Sequence, residues 1–463
     1  MEQDTLKVSF YGGTGSVTGA NFLLELPKTD TDPGKKFLID CGLTQGTKVA
    51  DDLNWNPFEY DPKEIDILFV THSHIDHVGR IPKLLHDGFT GRIISTIATK
   101  DLAAVMLADT VGILSKDTEH GLDQIYTQDA VKKAMSLWEG IEYHQVLNID
   151  HGFQFSFYDA GHILGSGMLK VSYKDKHILF TGDLGNSPSP LLKDTEIVEG
   201  IDYLIMESVY GDRNHENRDM RRKLLESVIE DNYKTKGTLI IPTFSLERSQ
   251  ELLFEIDMLV EHDRVPKMPV FFDSPLAIHL TKIFKQHQEC FNETARQFIS
   301  EGDDIFSFPG LKVTLLAEES KAILAAPDPK IIIAGSGMSN GGRIIHHEKN
   351  YLANPNNTLL LTGYQSIGTM GRLIEQGAKT VTIYGEAVPV HARIVKISGY
   401  SGHKDSDNLL EFVEKMSPTL EKVFVVMGEP KSAMFLVQKL RDLLGVNAIA
   451  PDRNLSVVLP MKK

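Results

Sequence analysis

The run His72-Ser73-His74-Ile75-Asp76-His77 sets three imidazoles and a carboxylate within six residues. Packing gives no reason for such crowding, because these groups repel and desolvate one another unless a cation shares them. Imidazole nitrogen and carboxylate oxygen without thiolate is the ligand set of a catalytic zinc, which keeps one position open for water. Cys41 and Cys290 are the only cysteines, too few for a disulfide framework and wrongly spaced for a cysteine zinc site. Any metal therefore falls to His and Asp. Two single residues extend the set: His162, in Asp159-Ala160-Gly161-His162-Ile163-Leu164-Gly165-Ser166, and Asp183, in Thr181-Gly182-Asp183-Leu184-Gly185-Asn186. Alone, each reads as a satisfied loop residue; beside the cluster, each is a candidate ligand. Asp40 closes Phe37-Leu38-Ile39-Asp40 and suits a carboxylate that orients a ligating histidine from behind.

These residues need strands to carry them. Residues 7–11, 21–26 and 36–40 read as short strands, with Gly12-Gly13-Thr14-Gly15 turning the chain between the first two. Residues 65–70 are a short apolar run with β-branched members, a buried strand that ends just before His72. The histidines thus sit at a strand's carboxyl end, where α/β scaffolds carry their chemistry. Residues 100–139 suit helices, and strand patterns return at 153–158, 168–173 and 177–181, with His162 and Asp183 just beyond strand ends. After Glu207 helix and strand alternate: helices at 220–233 and 249–259, strands at 238–243, 270–273, 330–334 and 358–362. That change of pattern reads as an inserted α/β domain. The final stretch gives a strand at 393–398, a helix at 409–416, a strand at 423–427 and a helix at 432–444 stopped by Gly445.

With 463 residues, the chain exceeds what one core usually organises, so two domains are expected. Hydrophobic residues at 41% and aromatics at 8% describe an ordinary globular protein. No apolar run approaches the roughly 20 residues that span a bilayer, so a cytoplasmic protein without membrane attachment is expected. The net charge is −15, from 48 Lys plus Arg against 63 Asp plus Glu. That excludes a wholly basic coat for wrapping nucleic acid; a nucleic-acid site has to be a local cleft, where bound cations offset the negative charge.

Asp40, the His-x-His-x-Asp-His run, His162 and Asp183, in this order, resemble the successive motifs of the metallo-β-lactamase fold. Glu207-Ser208-Val209-Tyr210-Gly211-Asp212 resembles the first motif of that superfamily's β-CASP nucleases, and Ser401-Gly402-His403 is similar to the second. Further matches run through Pro242-Thr243-Phe244-Ser245, Arg248-Ser249-Gln250-Glu251, Asp273-Ser274-Pro275-Leu276-Ala277, Gly335-Ser336-Gly337-Met338 and Gly341-Gly342. The resemblance spans essentially the whole chain and points to prokaryotic relatives of the eukaryotic pre-mRNA 3′-end-processing nuclease. It implies a four-layer αββα metallo-β-lactamase domain, residues 1–206 and 388–463, with a β-CASP domain inserted at 207–387. It also implies a hydrolase that cleaves RNA phosphodiester bonds with two Zn2+ per chain. His72, His74 and His162 would hold one zinc, Asp76 and His77 the other, and Asp183 would bridge. Asp76, Glu207 and His403 would be catalytic, with His403 protonating the leaving oxygen and Glu207 orienting His403 or its phosphate environment. Single-stranded RNA is the implied partner, and family members often dimerise, so a homodimer is expected. No KH-like extension is expected ahead of Lys7. Without the family match, His403 reads as a histidine near the start of a helix that Asp405 or Asn408 caps.

One position departs from the pattern. RNA-processing members carry a zinc-ligating histidine where Val425-Val426-Met427-Gly428-Glu429-Pro430 places Met427. A thioether is a weak, soft ligand among hard donors, so three outcomes stay open: a weakly held second zinc, another group in the position, or low activity. DNA-directed members also lack that histidine, which leaves a DNA-directed nuclease and a catalytically weakened RNA-binding paralogue as alternatives. Arg248, Arg343, Ser336 and Gly337 are candidates for gripping phosphates, through guanidinium forks and glycine-exposed backbone N–H groups. Phe244 and Tyr210 are candidates for stacking on bases, against the plainer fate of burial.

Overall fold

A computed structural model of the protein describes residues 5–28, 33–45, 53–118, 120–215, 220–366 and 368–462. The chain divides into two compact units. One comprises Met1–Ser187, Asp194–Asn214 and His403–Lys463, the other Pro188–Lys193 and His215–Gly402.

The first unit contains two seven-stranded sheets. In one, the order is Ser456–Pro460, Thr5–Phe10, Phe22–Leu26, Lys35–Ile39, Ile67–Phe69, Arg92–Thr96 and Trp138–Ile141. In the other it is Ala448–Ile449, Lys422–Val425, Tyr203–Met206, Lys176–Phe180, Gly167–Tyr173, Phe153–Asp159 and Leu147–Ile149. Aromatic rings from both sheets interleave: Phe155 stacks on Phe69 at 4.4 Å between centroids and meets Phe37 edge-on at 4.9 Å. Phe10, Phe22, Phe180 and Phe424 continue that core. On its outer face the first sheet packs Leu68, Val70 and Ile93 against Val78, Leu84, Ala103 and Leu107 from the helical segments. The second sheet covers Leu204 and Val425 with Leu409, Phe412 and Leu436 from helices Ser406–Glu414 and Pro430–Leu444. Two buried faces per sheet explain why Ile67–Phe69 and Tyr203–Met206 are apolar without alternation. This is the four-layer αββα arrangement.

Four parallel strands, Lys35–Ile39 through Trp138–Ile141, run in register in the first sheet, and four, Lys176–Phe180 through Ala448–Ile449, in the second. Asp40, the start of the 72–77 run, Asp183, Glu207 and Met427 each follow the last residue of such a strand by one to three positions, so one edge of the sheet pair collects them. His162 follows Phe153–Asp159 in the same way.

The second unit is built on a six-stranded, wholly parallel sheet of order Leu311–Val313, Val270–Phe272, Lys330–Ala334, Thr238–Pro242, Thr358–Leu361 and Arg393–Lys396. Helix Arg221–Thr235 leads into the first of these strands, and helices including Arg248–Glu261 and Ile344–Tyr351 connect the others, as the alternating pattern after Glu207 predicts.

One expectation is corrected in detail. The helical reading of 100–139 holds for Ile97–Leu114 and Gln128–Leu137, begun by Thr96 and Thr127, whose hydroxyls accept from Thr99 N and Ala130 N. Trp138–Ile141, however, is a strand at the sheet's edge, because Trp138 drops into the core and donates Nε1–H to Ser95 Oγ at 2.8 Å. The strand Arg92–Thr96 and the closing strand Ser456–Pro460 have no counterpart in the sequence reading. Among the described residues no helix is long and apolar enough to cross a membrane.

Removing the Phe155 ring is expected to cost about 3–5 kcal/mol of stability, since it deletes contacts to both sheets at once. Denaturant unfolding of Phe155→Ala at fixed zinc concentration measures this; a loss under 1 kcal/mol would mean that the two sheets do not share one core.

Candidate metal centre

Asp40 takes φ 59, a left-handed conformation that aspartate tolerates. This turns its carboxylate into the buried space behind the histidines. Asp40 Oδ1 accepts from Thr71 N at 2.8 Å, and Oδ2 accepts from Thr71 Oγ1 and His77 Nδ1, both at 2.8 Å. The Nδ1 proton of His77 is thereby fixed and Nε2 becomes its lone-pair donor. Thr71 Oγ1 also lies 3.1 Å from His72 Nδ1. Thr71 was missed in the sequence; its only signal is its place, directly before His72 at a strand end.

The backbone of the ligand run is clamped as well. Cys41 N and Leu43 N donate to His77 O and Ile75 O, and Ala20 N to Asp76 O. Gly42 passes so close beneath that a Cβ there would stand 1.5 Å from Asp76 O, so only glycine fits.

His74 Nδ1 lies 3.1 Å from His72 Nε2 and 3.3 Å from His162 Nε2. Asp183 Oδ2 stands 3.6 Å from both His72 Nε2 and His162 Nε2, while its Oδ1 stands 3.5 Å from His77 Nε2. Asp76 Oδ2 is 3.9 Å from the same His77 nitrogen. Two groups of donors result, His72, His74, His162 with Asp183, and Asp76, His77 with Asp183, each within 4.8 Å. Their fit to zinc can be judged from the chain itself. Tetrahedral nitrogens at about 2.0–2.1 Å from a zinc stand about 3.3 Å apart, close to the spacing found. His77 Nε2 and Asp183 Oδ1 are buried and meet no hydrogen-bond partner, a costly state that a cation would relieve. The donor set fits.

Electrostatics agree. Burial and the neighbouring His77 hold the His72 imidazole well below its ordinary range, keeping it in the neutral, coordinating form. Burial pushes the Asp76 carboxyl up to about 6 despite the attraction of His77. Burial opposes the charge on Asp183, but His77 above all draws its carboxyl well below the usual range.

Glu207 and His403 adjoin this centre. Glu207 is fully buried; Oε1 accepts from Leu184 N at 2.6 Å and Oε2 from Val209 N at 3.3 Å. His403 Nδ1 lies 3.2 Å from Glu207 Oε1 and 3.9 Å from Asp183 Oδ2. Burial lowers the affinity of His403 for a proton, but the Glu207 carboxylate outweighs it and raises the pKa to about 9. Asp405 does cap helix Ser406–Glu414, accepting from Asn408 N, and His403 two residues earlier still lies beside the candidate ligand Asp183.

Met427 has φ 46, strained for an unbranched side chain other than glycine. Its N–H donates to Gly13 O at 2.6 Å and its carbonyl accepts from Ser208 N. The side chain is buried in the inter-sheet core and lines a small cavity with Asp40, Thr71 and His77.

The phosphate-gripping candidates lie in the second unit, engaged there. Arg343 donates to Asp273 Oδ1 at 2.6 Å and to the carbonyls of Thr314 and Leu315. Arg248 is buried, paired with Glu251 beside the Tyr400 ring. Ser336 Oγ accepts from Asn340 N at 3.2 Å, and a Cβ on Gly337 would stand 2.8 Å from Phe244 N. Phe244 is exposed; Tyr210, in the first unit, is buried with its ring centroid 6.3 Å from that of His403.

Comparison with known proteins gives three family matches along the chain: a metallo-β-lactamase superfamily domain at residues 30–208, a Beta-Casp domain at 249–374 and a Zn-dependent metallo-hydrolase RNA specificity domain at 387–451. The chain is 34% identical to ribonuclease TTHA0252 of Thermus thermophilus, over 93% of this chain and 95% of that protein. It is 30% identical to an RNase J-like protein of Methanocaldococcus jannaschii, over 98% and 99% of the two chains. It is also 30% identical to the transcription termination factor FttA of Methanosarcina mazei, over 96% of this chain and 70% of that one. A crystal structure of an Enterococcus faecalis protein of unknown function shares the fold, with a TM-score of 0.55 at 13% identity over 98% of this chain and all of that one.

Asp40→Asn is expected to weaken the affinity for the metal on His77 by about 10–100-fold, because the ring loses the carboxylate that fixes its tautomer. Zinc titration against a chromogenic chelator measures it; unchanged affinity would show that Asp40 does not hold His77 as a ligand.

Proposed function

This chain belongs to the β-CASP family of metallo-β-lactamase-fold hydrolases, and we propose that it is a two-zinc ribonuclease acting on single-stranded RNA in the cytoplasm. The observation that carries the metal-dependent reading is the pair of donor groups sharing Asp183; the RNA specificity domain match and the ribonuclease among its relatives support the substrate.

His72, His74 and His162 would hold one zinc and Asp76 and His77 the other, with Asp183 serving both. When bound, the cation pair supplies an acidified water at neutral pH and offsets charge on the phosphate. The residues of the chain do the rest. Thr71 and Asp40 keep His77 in the coordinating tautomer. Glu207, fixed by two backbone N–H groups, holds the Nδ1 side of His403, so the proton given to the leaving oxygen travels on Nε2. The carboxylate partner keeps that imidazole charged near neutral pH, ready to donate.

Arg248, Ser336, Gly337 and Arg343 enter this reading as the frame of the RNA-contacting loops. Two of them, Arg248 and Arg343, hold their own unit together, so their loss would act on binding through loop geometry. A second reading, an RNA-binding protein with weakened catalysis, is favoured by Met427 alone, because a buried thioether leaves the second cation only Asp76, His77 and the shared Asp183.

Zinc stoichiometry and cleavage of a labelled single-stranded RNA separate the readings. Two zincs per chain and cleavage, abolished in Asp76→Ala and reduced about 100- to 10,000-fold in kcat in His403→Ala, are expected. One zinc or none, with no cleavage after zinc is supplied but retained RNA binding, would establish the second reading. Size-exclusion chromatography of the same preparation tests the homodimer.

A further inference from the structure

A second group of carboxylates lies in the inserted unit. Asp257 and Glu261 stand one turn apart on helix Arg248–Glu261 and so share a face. The segment after helix Glu293–Ser300 brings Asp303 to the same place, beside the contact of the Phe254 and Phe298 rings at 6.3 Å. One oxygen from each of Asp257, Glu261 and Asp303 lies within 4.8 Å of the other two.

This differs from an ordinary acidic surface. Asp257 is 0% exposed, and neither of its carboxylate oxygens meets a hydrogen-bond partner; Asp303 Oδ2, also buried, meets none. A carboxylate taken out of water with no donor is a costly arrangement. The position compounds it, for Asp257 and Glu261 sit in the last turns of a helix with no basic residue there, where the helix dipole opposes negative charge. Burial first, then the charges of Asp303 and Glu261, would push the Asp257 carboxyl up to about 8 if nothing positive stood among them.

We propose that Asp257, Glu261 and Asp303 form a binding site for a calcium-class divalent cation, which fastens the segment around Asp303 to helix Arg248–Glu261. The donors are all carboxylate oxygens, the preference of hard cations, with no imidazole to recruit zinc. Calcium accepts oxygens at about 2.3–2.6 Å in irregular geometry, so its ligands stand as much as about 5 Å apart, whereas magnesium at about 2.1 Å demands a tighter octahedron. Glu261 is exposed, which leaves its side of the ion to water. The site is independent of the histidine centre and of the reaction proposed for it.

Calorimetric titration of the zinc-loaded protein with CaCl2, and separately with MgCl2, tests this. One calcium per chain is expected in the wild type and in Asp76→Ala, with magnesium binding weaker, and a calcium-dependent rise in Tm. In Asp257→Asn the calcium affinity is expected to fall about 100-fold or more and the rise in Tm to vanish, while Tm without calcium stays at or above the wild-type value because like charges are removed. Glu261→Gln, a change at an exposed side chain, should weaken calcium binding without touching the fold. Absence of calcium binding in the wild type, or undiminished binding in both Asp257→Asn and Glu261→Gln, would overturn the proposal and leave Asp257 as a buried neutral acid. Magnesium binding as tight as calcium would overturn the calcium preference.

Discussion

The two oxygens of one carboxylate, Asp183, meet three imidazole nitrogens, Oδ2 at 3.6 Å from His72 and His162 and Oδ1 at 3.5 Å from His77. In a buried space this geometry is unfavourable unless positive charge lies between the partners. Much of the first unit serves to hold it. Parallel strands deliver Asp40, the histidine run, Asp183 and Glu207 to one edge, and Gly42 lets the backbone pass close enough to clamp Asp76. The interleaved rings of Phe37, Phe69 and Phe155 fix the separation of the two sheets. A rigid floor of this kind keeps ligand positions from relaxing when charge changes during a reaction.

Much of this was legible in the sequence, for physical reasons. Four ligand-type residues in six positions have no packing explanation, so 72–77 announced itself; Asp183 and His162 became readable only beside it. Strands buried on both faces, such as 67–69 and 203–206, lack alternation but betray themselves as short apolar runs. What stayed hidden was set by tertiary contact. Trp138–Ile141 follows a helix without a break, and only the burial of Trp138 turns it into a strand. Thr71 is one threonine among many until Asp40 is seen to accept from both its N–H and its hydroxyl. Asp257 and Glu261 look like the solvated face of any helix, since spacing i, i+4 carries no signal that Asp257 is sealed from water. Arg248 and Arg343, candidates in the sequence for gripping phosphates, are paired with Glu251 and Asp273 in the structure. A guanidinium in a motif serves recognition and architecture equally, and sequence does not tell them apart.

The order of strands in the first unit has a consequence for how the protein comes into being. Thr5–Phe10 pairs with Ser456–Pro460, and Tyr203–Met206 with Lys422–Val425. Between them the ribosome must produce the whole of the inserted unit, whose sheet is closed within itself and can collapse earlier on its own contacts. Contacts of such sequence separation form late. His403 therefore joins the histidine cluster only after the inserted unit has been made. A nascent chain carries the 72–77 run long before it carries His403. Assembly in this sequence keeps the histidine cluster apart from His403 for as long as the message for the inserted unit is still being read.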